Sequence, residues 1–168
     1  HRYIGSSLVF FLLIMTLTGI LLGWKKHSGS LILPKTEKGS SSLLADWQSL
    51  DTLAKAAQHA LHHFDTTLNT SIDRMDVRAD KGTIKVTFLH HYHEVQLDGA
   101  TAKVLAINVR KSDIIEQIHD GSIVDFFTRL DGGWFKLGYN SLVGGGLLIL
   151  CISGFWLWYN PKRIRKMK

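Results

Sequence analysis

Two long uncharged apolar runs, one near each end, constrain this chain more than anything else in it. Tyr3 to Trp24 carries no charged residue and is mostly Leu, Ile, Val and Phe, and Leu137 to Tyr159 is likewise uncharged. Each exceeds the roughly 20 apolar residues that cross about 30 Å of hydrocarbon at about 1.5 Å per residue. The competing reading is a pair of buried core helices, but a core of this size seldom needs two uninterrupted uncharged runs of that length. The first run also resembles a cleaved signal peptide superficially. It is too long for an apolar signal core of about 7–15 residues, and no small-x-small cleavage site comes after it. The run ends instead in Trp24-Lys25-Lys26-His27, an aromatic and cationic anchor at a membrane interface.

Lys and Arg set the expected orientation. Five of the last seven residues, Lys162 to Lys168, are basic. The positive-inside rule places that tail in the cytoplasm, and two spans return His1 and Arg2 to the same side. Lys25 and Lys26 pull weakly the other way. The chain opens on His1 rather than Met, so further cytoplasmic N-terminal sequence is expected before it. The formal net charge of +6 is then a matter of topology and anionic lipid in the bilayer. With no aromatic-interleaved basic patch between the spans, nucleic acid is not an expected partner. Cys151, the single cysteine, falls in the second run, which excludes an intrachain disulfide, a zinc finger or a CxxC pair. Metal or redox chemistry must rest on histidine.

Between the runs the pattern predicts a small α+β unit. Pro34 to Ser42, with Lys35, Glu37, Lys38, Gly39 and serines, reads as an exposed tether. A helix is predicted over Leu50–Phe64, with Leu50, Leu53, Ala57, Leu61 and Phe64 on one face and Ser49 as N-cap. Strands are predicted over Ile72–Arg78, Thr83–Leu89 and Lys103–Val109, with Tyr92–Leu97 either continuing the second strand or returning from it. From Asp113 to Leu130 an apolar stripe interrupted at Gly121 predicts a helix or helix pair, lying on the membrane or packed on the α+β unit. The expected fold is an α+β membrane protein, two transmembrane helices flanking a small periplasmic helix-plus-antiparallel-sheet domain. Its expected segments are a first span (1–26), a linker (27–48), the α+β domain (49–112), an interfacial segment (113–133), a second span (134–160) and a basic cytoplasmic tail (161–168). Gly19-x-x-x-Gly23 and Ser141-x-x-x-Gly145 offer small-residue faces for close helix approach, and a homodimer with a four-helix membrane core is expected.

Nine histidines accompany that one cysteine. His1 and His27 flank the first run, about 26 residues or 39 Å of helix apart, so they sit at opposite faces of a membrane. His119 precedes the second run, on the same side as His27. A b-type haem needs one or two imidazoles beside apolar surface. His27 with His119 suits a haem near the outer face, and His1 with its symmetry mate one near the inner face. The plainer reading makes all three interfacial anchors. His59 and His63, four apart on the predicted helix, have the spacing to share a metal, but with no third ligand nearby they read as solvated with His62. His90, His91 and His93 lie where a hairpin would bring them together, as a labile iron or copper site or as a plain polar hairpin.

Several segments resemble a known family. His1-Arg2-Tyr3-Ile4-Gly5 with the apolar run ending Leu17-Thr18-Gly19-Ile20-Leu21-Leu22 is similar to the first helix of the PepSY-associated transmembrane family. So are Ile118-His119-Asp120-Gly121 before the second run and Ile152-Ser153-Gly154-Phe155-Trp156-Leu157-Trp158 with Pro161-Lys162-Arg163 at its exit. Glu94 to Leu105 resembles the last strands of a PepSY domain. Asp120 departs from the pattern, since many relatives carry Thr there. The resemblance implies a haem protein of the bacterial inner membrane that reduces periplasmic ferric iron or a ferric chelate. It implies haem b on His27, His119 and His1, a quinol or protein electron donor, and an indirect link to a ferrous-iron transporter. Ferric iron would dwell at His90, His91 and His93. The rival expectation is a membrane-tethered PepSY module that binds or modulates peptidases without redox activity, and a third is a metal-binding accessory of a transporter. No GxGxxG, HExxH or Ser-His-Asp pattern points to nucleotide, zinc-protease or hydrolase chemistry.

Overall fold

A computed structural model describes residues 2–129 and 132–166, with side chains to residue 160. His1, Leu130, Asp131 and the side chains of the basic tail therefore lie outside the described residues. The chain divides into two compact units, Trp24–Ile114 and His1–Gly23 with Ile115–Lys168.

The first unit is a four-stranded antiparallel meander under one helix. Strands β1 (Ile72–Arg78), β2 (Thr83–Phe88), β3 (His93–Asp98) and β4 (Val104–Val109) pair in chain order. The segment around Tyr92 returns rather than continuing: Ile84 faces Leu97 and Val86 faces Val95 across β2 and β3. Helix α2 (Leu50–Phe64) starts where Ser49 accepts the Thr52 N–H at 3.2 Å. Its Leu53, Ala57 and Leu61 meet Ile84, Val86, Phe88, Val95 and Leu97, all fully or almost fully buried. Period 2 on the strands and spacings of three and four on the helix put these apolar positions on facing surfaces.

Alternation alone would leave the other face of β2 and β3 wet, yet Lys85, Glu94 and Gln96 are buried as well. The cover is the segment read from sequence as an exposed tether, and that expectation is corrected here. Its backbone docks on the sheet: Gly39 N–H donates to Lys81 O at 2.8 Å, and Glu37 N–H to Gln96 Oε1 at 2.9 Å. In return Gln96 Nε2 donates to Lys35 O at 2.9 Å, and the Thr83 hydroxyl donates to Glu37 O at 2.7 Å. Polar side chains did not reveal this because main-chain groups make most of the attachment. Beneath it, Glu94 takes Arg110 Nη1 at 2.9 Å, Gln96 Nε2 at 2.7 Å and Lys85 Nζ at 3.4 Å. Burial pushes the Lys85 ammonium below its ordinary pKa, against the pull of Glu94.

The second unit is helical. Helices α1 (Arg2–Gly23) and α5 (Trp134–Lys166) contain the two apolar runs, except for Trp24 in the turn after α1. Only 11% and 6% of their most apolar stretches are buried, which excludes the core-helix reading. They are transmembrane helices, and the protein is a membrane protein. They pack antiparallel, with Gly5 against Leu150, Leu8 against Gly146 and the Phe11 ring 5.9 Å from that of Tyr139. Of the small-residue positions, a side chain added at Gly19 would meet the His119 ring. One at Gly23 or Gly145 would meet no described atom within 4 Å. Gly19 is thus occupied within the chain, whereas Gly145 lies open. Helix α3 (Lys111–Asp120), which belongs to this unit from Ile115 on, and α4 (Ser122–Thr128) form the pair expected around Gly121.

Candidate functional site

The Ile118-His119-Asp120-Gly121 corner is held from both sides by the two spans. Gly121 adopts φ of +78°, a left-handed conformation that glycine tolerates, and an added Cβ would sit 2.8 Å from the Tyr139 ring on α5. Asp120 accepts the Ser122 N–H at 2.9 Å and its hydroxyl at 2.6 Å, and pairs with Lys136 near the start of α5. Burial opposes its ionisation, but the bonds to Lys136 and Ser122 prevail and hold its carboxyl below the usual range. The Asp120 carbonyl accepts Asn140 Nδ2 at 2.7 Å. One turn on, the buried Asp125 carboxylate accepts the N–H groups of Phe135 (3.2 Å) and Lys136 (2.9 Å), donors that the first turn of α5 leaves unsatisfied. The departure at Asp120 thus has a local purpose, joining the start of α4 to α5.

With the corner fixed on α5, His119 reaches α1. Its Nδ1 lies 2.9 Å from the Thr18 hydroxyl oxygen. Thr18 is 8% exposed, so water competes little for this bond. An added Cβ at Gly19 would stand 3.5 Å from His119 Cε1, so the ring rests on a position with no side chain. Nε2 of His119 makes no hydrogen bond with any described residue.

The remaining histidines differ. His27 is exposed in the turn after α1, its N–H donating to Trp24 O at 2.9 Å. His90 is exposed, with φ of +67°. His91 and His93 come together at 5.3 Å between ring centroids. His91 Nε2 donates to Asn69 O at 2.8 Å, and its Nδ1 accepts the His93 N–H at 3.2 Å. His93 Nδ1 is buried without a hydrogen-bond partner, and the ring lies 6.0 Å from Phe64. Burial lowers its pKa, His91 adds to that, and Asp65 opposes it. His59 and His63 stand 6.5 Å apart on the exposed side of α2. Among the described residues no three His, Cys, Asp or Glu side chains are grouped to hold a metal ion.

A family model for the PepSY-associated TM region matches residues 1–168, the whole chain. The chain belongs to this family. No curated protein and no solved structure matches it. Within this PepSY-associated protein, Thr18, Asp125, Lys136 and Asn140 are site residues that sequence reading missed. Thr18 alone left a trace, as a polar residue inside an apolar span, where small hydroxyl residues favour helix contacts.

Proposed function

We propose that this protein carries electrons across the bacterial inner membrane through b-type haem to periplasmic ferric iron, in support of ferrous-iron uptake. One observation supports the reading above others: His119 is held at the junction of α3 and the two spans with one ring nitrogen bonded and the other unpartnered among the described residues. A bare ion would ask for three or more converging donors, which the described residues do not group. Haem iron arrives with four porphyrin nitrogens and asks for one or two imidazoles beside apolar surface, so the residues present fit that group better. His119 would be one ligand. His27 is proposed as its partner on an outer haem, and His1, with that of a second copy, as the pair for an inner one.

When bound, haem supplies one-electron chemistry at the iron. The chain's part is to hold imidazoles, to surround them with low-dielectric side chains and to exclude water from them. Each electron delivered converts one ferric ion, free or chelated, to ferrous, and a quinol or a protein donor replaces it. The basic tail argues for cytoplasmic termini and a periplasmic sheet unit. The open Gly145 face argues for a homodimer. The hairpin histidines enter only as a place to hold an arriving ion, and His91 would first give up its bond to Asn69. On this reading the chain resembles VciB, a two-span membrane protein that promotes ferrous-iron uptake.

A second reading rests on the sheet unit. An open groove of about 530 Å³ between α2 and β4 has an apolar floor of Ala56, Ala60, Phe64, Val104 and Ile107 with His59 and His63 also lining it, and suits a bound peptide with both apolar and polar side chains. It fits a regulatory or peptidase-modulating module. Purified full-length protein separates the two. The redox reading expects a Soret band that sharpens with dithionite and is reversed by ferric citrate; a folded, colourless preparation overturns it in favour of the regulator.

A further inference from the structure

We infer that Thr18 is a positioning residue, fixing His119 as the Nδ1–H tautomer and thereby presenting Nε2 as the nitrogen for iron. This inference rests on the haem reading above for its purpose, but not for its geometry. The Thr18 hydroxyl has a single proton. Its oxygen lies 2.6 Å from Ile14 O and 3.3 Å from Met15 O in the preceding turn of α1. Carbonyl oxygens only accept, so the proton points at them. The face of Thr18 Oγ1 toward His119 is then a lone pair, and the ring nitrogen 2.9 Å away must be the donor. A neutral imidazole with its proton on Nδ1 has its lone pair on Nε2. The hydrogen-bond network therefore assigns the tautomer.

The opposite tautomer would set two lone pairs against each other, or require Thr18 to abandon Ile14. With Thr18 buried and the bond partly shielded, solvent compensates little for either. A bond from the far nitrogen of a ligating histidine to an acceptor fixes the ring and makes the ligating nitrogen more basic. Thr18 at one position and Gly19 at the next thus do separate things: the first orients the ring, and the second leaves room for it to lie on the helix.

The test compares wild type with Thr18→Val, which keeps the shape and loses the acceptor, and Thr18→Ser, which keeps the acceptor. In full-length protein without haem, with ¹⁵N-labelled histidine and His119 assigned by its loss in His119→Gln, the Nδ1–H form should dominate by about tenfold. Thr18→Val should lose that preference and Thr18→Ser retain it. In haem-loaded protein, Thr18→Val should raise the midpoint potential, because iron(III) loses electron donation, and Thr18→Ser should restore it. A wild-type ring protonated on Nε2, or a Thr18→Val variant with tautomer or potential unchanged, overturns the inference. A protein that binds no haem yet shows the stated tautomers fails the haem reading alone, and the tautomer assignment stands.

Discussion

His91 in the sheet unit uses both ring nitrogens, one on Asn69 O and one on the His93 N–H, while its ring stacks on Phe88 at 5.8 Å. His119 in the helical unit uses one, on Thr18, and leaves the other without a partner among the described residues. The same contrast extends to the carboxylates. Glu94 closes a buried network within the sheet unit, with Lys85, Gln96 and Arg110 all on it. Asp120 and Asp125 serve instead to place the corner on which His119 sits. Polar groups of the sheet unit stabilise it, whereas those of the helical unit hold one side chain with a nitrogen in reserve. His93 Nδ1 is also without a partner but is buried within the sheet unit, so function is better sought from the His119 nitrogen that the two spans hold in place than from the larger number of histidines at the hairpin.

The largest effect expected of this contrast is at Glu94. Glu94→Ala leaves the buried Lys85 without its carboxylate, while Arg110 keeps Asp113, and should destabilise the sheet unit by about 3–5 kcal/mol, since an uncompensated buried charge is costlier than a lost pair. Hydrogen exchange of the β2 and β3 amides in detergent-solubilised protein measures this. A change below about 1 kcal/mol would show that the network does not share load in the way its geometry indicates.

A smaller effect is expected from pH at His93. Its pKa is lowered from 6.5, so the unfolded chain takes up the proton before the folded one. The corresponding stability is fully present above pH 6.5 and is lost as pH falls through the lower folded value. Exchange in β3 should therefore accelerate on acidification through that window, and His93→Phe should flatten the dependence. An unchanged slope in His93→Phe would transfer the effect to another group.

Much of the sheet unit was legible because its apolar residues obey their periods. Leu53, Ala57 and Leu61 announce α2, and Ile84, Val86 and Phe88 announce β2. The docked segment around Glu37 and Gly39 was not, since composition reports side chains and, apart from the Ser40 hydroxyl on Asp98, the segment docks through main-chain atoms. In the helical unit the two spans were plain and the break at Gly121 was visible. His119 stood out by its place before the second run, on the same side as His27, and resemblance to relatives strengthened that reading. Thr18 lies 101 residues away from it, a distance at which no local pattern speaks. The face expected at Gly19 for a second helix is occupied by that same ring, a contact between segments that helix-packing motifs do not anticipate.

The central claim is that His119 is a haem-iron ligand and the hairpin histidines are not. The direct measurement is the dithionite-reduced visible spectrum of purified full-length His119→Ala beside wild type and His91→Ala, with and without carbon monoxide. The account predicts a low-spin spectrum in wild type and His91→Ala. It predicts loss of haem, or a high-spin species that binds carbon monoxide, in His119→Ala. A His119→Ala spectrum identical to wild type would contradict it.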